Sequence, residues 1–78
     1  MPTARVTLHG TLSRFLPGGQ RTTEVELGRP CTAGRLLEEL GLPVEALDML
    51  VVNGNRATAD TLVREGDLLE AFPFIGGG

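Results

Sequence analysis

One stretch, Thr32 to Gly41, constrains the fold of this chain more than any other. Thr32 is a good helix N-cap, Ala33-Gly34-Arg35-Leu36-Leu37-Glu38-Glu39-Leu40 follows, and Gly41 supplies the stop. Leu36, Leu37 and Leu40 make an apolar stripe, while Arg35, Glu38 and Glu39 face away from it. A helix this short does not persist alone in water. It must lie across a sheet, where each buried leucine contributes about 1.5–3 kcal/mol before entropy is subtracted.

The flanking segments supply that sheet. Arg5 to Leu12 alternates, with Val6, Leu8, Gly10 and Leu12 on one face and Arg5, Thr7, His9 and Thr11 on the other, which predicts a half-buried strand. His9 falls on the wet side and receives no role. Pro17-Gly18-Gly19-Gln20 is turn chemistry, after which Thr23, Val25 and Leu27 alternate with Thr22, Glu24 and Glu26, completing a hairpin with a long loop. Leu42 to Leu47 is a connector with room for one helical turn. Met49-Leu50-Val51-Val52 is almost wholly apolar and predicts an interior strand covered on both faces. Asn53-Gly54-Asn55 is the strongest hairpin signal, leading into a short return at Arg56-Ala57. Asp60 to Asp67 reads as a loop or single turn from which Gly66-Asp67 launches the last strand, Leu68 to Phe72. Pro73 ends it, having no N–H for a ladder.

Beyond Pro73 the chain changes character. Phe74-Ile75-Gly76-Gly77-Gly78 predicts a flexible tail (74–78) held out from a domain that spans 1–73. Ordering each residue of such a tail costs about 1–2 kcal/mol of backbone entropy. Without Cβ atoms, Gly76 and Gly77 can thread a narrow slot that rejects larger residues, leaving the Gly78 carboxylate as the reactive group. That carboxylate is inert until activated, with a pKa of about 3.3–3.7. The chain has no phosphate-binding glycine loop and no Cys or His cluster to activate it. Activation must come from a partner, and the domain is expected to be no enzyme and to bind no cofactor or metal itself. Phe72, Phe74 and Ile75, beside the reactive end, are the candidate partner-binding anchors. Phe72 also has a plain alternative as a core residue.

Composition narrows the partners. With 78 residues the chain forms one small domain without space for an enclosed active site. A net charge of −3 argues against nucleic acid and anionic membranes and favours a basic-faced protein. All seven basic residues are arginine, so no lysine here can accept an isopeptide bond. A lone Cys31 excludes an internal disulfide and suits a reducing compartment; with no signal segment and no span-length apolar run, a cytoplasmic location is expected.

Two strands, a helix, a strand, a short return and a final strand predict an α+β domain whose mixed sheet grasps one main crossing helix. From end to end the chain resembles the β-grasp, ubiquitin-like sulfur carriers of the MoaD/ThiS type. The resemblance rests on Leu12-Ser13-Arg14-Phe15-Leu16, the Thr32 to Leu40 helix, Val51-Val52-Asn53-Gly54, Gly66-Asp67 and the segment Phe72 to Gly78. Phe74 and Gly76 depart from the family's usual tail, which has a second proline and an alanine there. The resemblance implies that a ubiquitin-activating-type enzyme uses MgATP to adenylate Gly78, that a thiocarboxylate follows, and that sulfur passes to an accepting enzyme such as a molybdopterin synthase large subunit. In the family a phenylalanine matching Phe72 contacts the activating enzyme. Molybdopterin biosynthesis is the favoured pathway; a thiamine thiazole or other sulfur-transfer carrier, or a protein modifier conjugated through Gly78, are the alternatives.

Overall fold

The computed structural model describes residues 2–42 and 47–73. The helix α1 (Ala33–Glu39) forms where expected. Its first-turn donors are all satisfied locally: Ala33 N–H donates to the Thr61 carbonyl (2.8 Å), Gly34 N–H to the Ala59 carbonyl (2.9 Å) and Arg35 N–H to Thr32 Oγ1 (3.3 Å). At the other end Leu42 N–H reaches the Leu37 carbonyl (3.0 Å) and Gly41 N–H the Glu38 carbonyl (2.9 Å), with Gly41 at φ 84°. This double bond pattern closes the helix and turns Leu42 back into the core beside Leu37.

Five strands form the main sheet: β1 (Thr3–Leu8), β2 (Thr22–Glu26), β4 (Leu47–Val52), β5 (Asn55–Ala57) and β7 (Leu68–Pro73), in the order β2-β1-β7-β4-β5. The first and last strands of the chain pair in parallel at its centre, Arg5 opposite Leu68 through Leu8 opposite Ala71. The other pairings are antiparallel. The β4–β5 hairpin turns through Asn53 (φ 52°) and Gly54 (φ 84°), the doubly left-handed turn that an Asn-Gly pair adopts.

One face of this sheet carries the core. Ala4, Val6 and Leu8 from β1, Leu50 from β4, and Leu69 and Ala71 from β7 pack with Leu36, Leu37 and Ala33 of the helix, and no polar or charged residue joins them among the described residues. The expected alternation of β2 holds, with Thr23 and Val25 half-buried and Glu24 and Glu26 exposed.

Three expectations change. The first strand stops at Leu8, because Gly10 takes φ 57° and begins a 3-10 turn over Gly10–Phe15; Leu12 still reaches the core, but from that turn. Met49 to Val52 is not covered on both faces. Only Leu50 is buried, since a single helix covers a single side and leaves Met49 and Val51 half-exposed opposite it. Within the segment read as a loop, β6 (Leu62–Val63) pairs with β3 (Cys31–Thr32) in a separate two-stranded ribbon. Cys31 is therefore a half-buried strand residue at the helix entrance. Of the connector read between Leu42 and Leu47, residues 43–46 lie outside the described residues.

Candidate functional site at the exit of the last strand

Strand β7 is flanked on both sides, paired with β1 from Leu68 to Ala71 and with β4 from Leu69 to Pro73. Its start is fixed by side chains as well as by ladder bonds. Asn53 Oδ1 accepts from Leu68 N–H (2.9 Å), Asn53 Nδ2 donates to Asp67 (2.9 Å), and the other Asp67 oxygen accepts from Arg64 N–H (2.8 Å). The Arg64 amide, then the Asn53 amide, holds the Asp67 carboxyl below its ordinary value of 3.8 by bonding to the charged form.

At its far end the alternation of β7 separates two sets of side chains. Leu69 and Ala71 point into the core, while Leu68, Glu70 and Phe72 lie on the face away from the helix. The β4 register puts Val51 opposite Glu70 and Met49 opposite Phe72, and the β1 register puts Thr7 beside Glu70. Phe72 is thus half-buried on the open face and is not part of the core. The plain reading of Phe72 as core falls.

The corner that follows β1 closes over this end. His9 N–H donates to the Ala71 carbonyl (3.0 Å), and the His9 ring stacks on Phe72 with centroids 4.3 Å apart and planes within 7°. His9 Nε2–H donates to a Glu70 carboxylate oxygen at 3.0 Å. A Cβ at Gly10 would meet the Pro73 ring at 3.1 Å, so the backbone there lies against the last residue of the strand. His9 lies outward as alternation predicts, but it is not freely solvated: its side chain is 35% exposed, stacked on Phe72 and hydrogen-bonded to Glu70. Sequence alternation places His9 outward, but only the parallel pairing of the first and last strands brings it to Phe72.

The other candidate positions, Phe74, Ile75, Gly76, Gly77 and Gly78, lie outside the described residues. Among the described residues no group of three His, Cys, Asp or Glu is arranged to hold a metal ion, and no helix is long and apolar enough to cross a membrane. A groove walled by Glu26, Arg29, Cys31, Arg35 and Glu39 runs on the helix side of the molecule, with mixed charge.

A mixed sheet with a central parallel pair, grasping one α-helix among the described residues, defines a β-grasp, ubiquitin-like fold. The chain belongs to the Mut7-C ubiquitin family, whose sequence pattern matches residues 1–76. Similar solved structures include small archaeal modifier protein 1 of Haloferax volcanii (TM-score 0.75, 21% identity, 96% of this chain and 100% of that one covered). Molybdopterin converting factor subunit 1, as assigned in Pyrococcus furiosus, gives a TM-score of 0.72 at 20% identity, over 96% of this chain and 100% of that one. Urm1 of Trypanosoma brucei gives 0.72 at 17% identity, over 99% and 96%. No curated protein matches the chain by sequence.

Proposed function

We propose that this protein is a sulfur carrier whose Gly78 carboxylate is the working group. The observation that carries the reading is the placement of β7: a central strand, locked on both sides, runs to Pro73 and leads into Phe74-Ile75-Gly76-Gly77-Gly78. The domain supplies no acid or base to this chemistry; it supplies a handle and a direction. An adenylating enzyme of the ubiquitin-activating type takes the carboxylate and MgATP to an acyl adenylate with loss of pyrophosphate. The terminal sulfur of a partner's persulfide then attacks the acyl carbon and AMP leaves. Reduction of the resulting acyl disulfide by a partner thiol releases the thiocarboxylate, which an accepting enzyme consumes. Positioning of this kind is worth up to about 7–11 kcal/mol of barrier in well-oriented systems. Phe72, Phe74 and Ile75 anchor the tail in the partner, with Gly76 and Gly77 threading its slot. The similarity in fold to a molybdopterin converting factor subunit favours an accepting enzyme of the molybdopterin synthase type.

The test is the intact mass of the full chain after incubation with ATP, an adenylating enzyme and a sulfur donor, beside a Gly78 deletion. Replacement of one oxygen by sulfur in the wild type and not in the deletion is the expected result. No such gain, with an enzyme competent on a known carrier, overturns the reading. The similarity to small archaeal modifier protein 1 favours a second one, conjugation of Gly78 to lysines of other proteins. Isopeptide-linked adducts without any thiocarboxylate would select it.

A further inference from the structure

The His9 corner is not required by the fold. Both ring faces of a histidine at the end of β1 could be left to water, as alternation alone predicts. Instead three separate contacts converge on the last three residues of β7: the His9 amide on Ala71, the His9 ring on Phe72, and Gly10 against Pro73. The bond from Nε2 to Glu70 fixes the ring's orientation from the neighbouring outward position on the same strand. Stacked planes at 4.3 Å leave Phe72 no freedom to rotate into the space His9 occupies. Phe72 therefore presents one face to histidine and keeps one orientation as the strand ends.

We propose that His9 is a positioning residue for the tail: by stacking on Phe72 and bonding the Ala71 carbonyl, it pre-sets the exit of the chain at Pro73 for docking into the adenylating enzyme. The claim rests on the carrier reading for its enzymatic consequence, and on the geometry alone for its structural one. Holding an anchor in its bound orientation removes an ordering cost that would otherwise be met at binding, so it acts on affinity and not on the chemical step. Glu70 is the second member of the device, because it sets the plane of the imidazole.

Three full-length variants separate the contributions. His9→Ala removes stack and side-chain bond, His9→Phe keeps the stack, and Glu70→Ala keeps the ring without its tether. Two readouts are taken with the melting temperature as a control on folding: the backbone 15N order parameter at Phe72, and steady-state adenylation measured as carrier-dependent ATP–pyrophosphate exchange. The expected result for His9→Ala is a fall in order at the Phe72 amide and a KM for the carrier raised about tenfold with kcat within about twofold. His9→Phe and Glu70→Ala, each of which keeps a stacked ring without the tether, both fall between wild type and His9→Ala. An unchanged order parameter in His9→Ala overturns the proposal whatever the kinetics show. Lowered order with an unchanged KM overturns it too, by showing that the orientation of Phe72 does not matter to the enzyme. If no adenylating enzyme accepts the wild-type chain, the carrier reading fails separately, and the order parameter alone decides whether His9 positions Phe72.

Discussion

At the scale of single residues, the Asn53–Asp67 pair carries more structural weight than its exposure suggests. Asn53 sits at φ 52°, which costs an ordinary residue about 1–2 kcal/mol, and its side chain ties the β4–β5 turn to the start of β7 through two bonds of 2.9 Å, one to the Asp67 carboxylate and one from Leu68 N–H. Asn53→Ala loses both advantages and is expected to cost about 2–3 kcal/mol in chemical denaturation. Asn53→Gly relieves the backbone while losing the bonds, so it should cost less. Asp67 adds a pH dependence of known sign. Its folded pKa lies below 3.8, so its ionised form contributes stability that is complete above that value and is lost as pH falls through the lowered one. Asp67→Asn should therefore flatten the acid limb of the denaturation midpoint against pH, relative to wild type, and leave the neutral limb parallel. An unchanged acid slope would show that these bonds do not persist in solution.

At the scale of elements, α1 is a short helix made viable by its two ends. The loop carbonyls of Ala59 and Thr61 act as caps alongside Thr32, and they explain why Gly34 belongs inside the helix. A Cβ there would approach the Ala59 Cβ at 3.0 Å and its carbonyl oxygen at 3.2 Å. Helix propensity alone predicts that Gly34→Ala stabilises by about 1 kcal/mol. The close approach reverses the sign, and a lowered melting temperature is the expected outcome, with Thr32→Ala costing about 1 kcal/mol for the lost cap. The ribbon of β3 and β6 belongs to the same arrangement, since it brings the Ala59–Thr61 loop to the helix start.

At the scale of the whole molecule, the sheet has one covered and one open face, and substitutions on the two should behave differently. Leu69 is fully buried at the centre of β7, so Leu69→Ala is expected to cost about 2–5 kcal/mol. At about 4–8 °C per kcal/mol for a domain of this size, the melting temperature falls by about 10 °C or more. Phe72→Ala, three positions on and facing the other way, should lower it less while weakening partner binding. Equal losses of stability with unchanged binding would return Phe72 to a purely structural role.

The sequence by itself determined the elements whose signals are local. The caps and stripe of α1, the alternation of β2, the Asn-Gly turn and the start of β7 at Gly66-Asp67 are all written within a few neighbouring residues. The tertiary structure decided what depends on pairing between distant parts. Gly10 ends β1 by its backbone sign, which alternation cannot register, and two-residue strands such as β3 and β6 are too short to carry a period. The open face of β4 follows from there being one helix to cover a two-sided sheet. Above all, His9 meets Glu70 and Phe72 only because β1 and β7 run side by side in parallel, 61 positions apart in sequence at the His9–Glu70 bond, and no local pattern encodes which strands become neighbours.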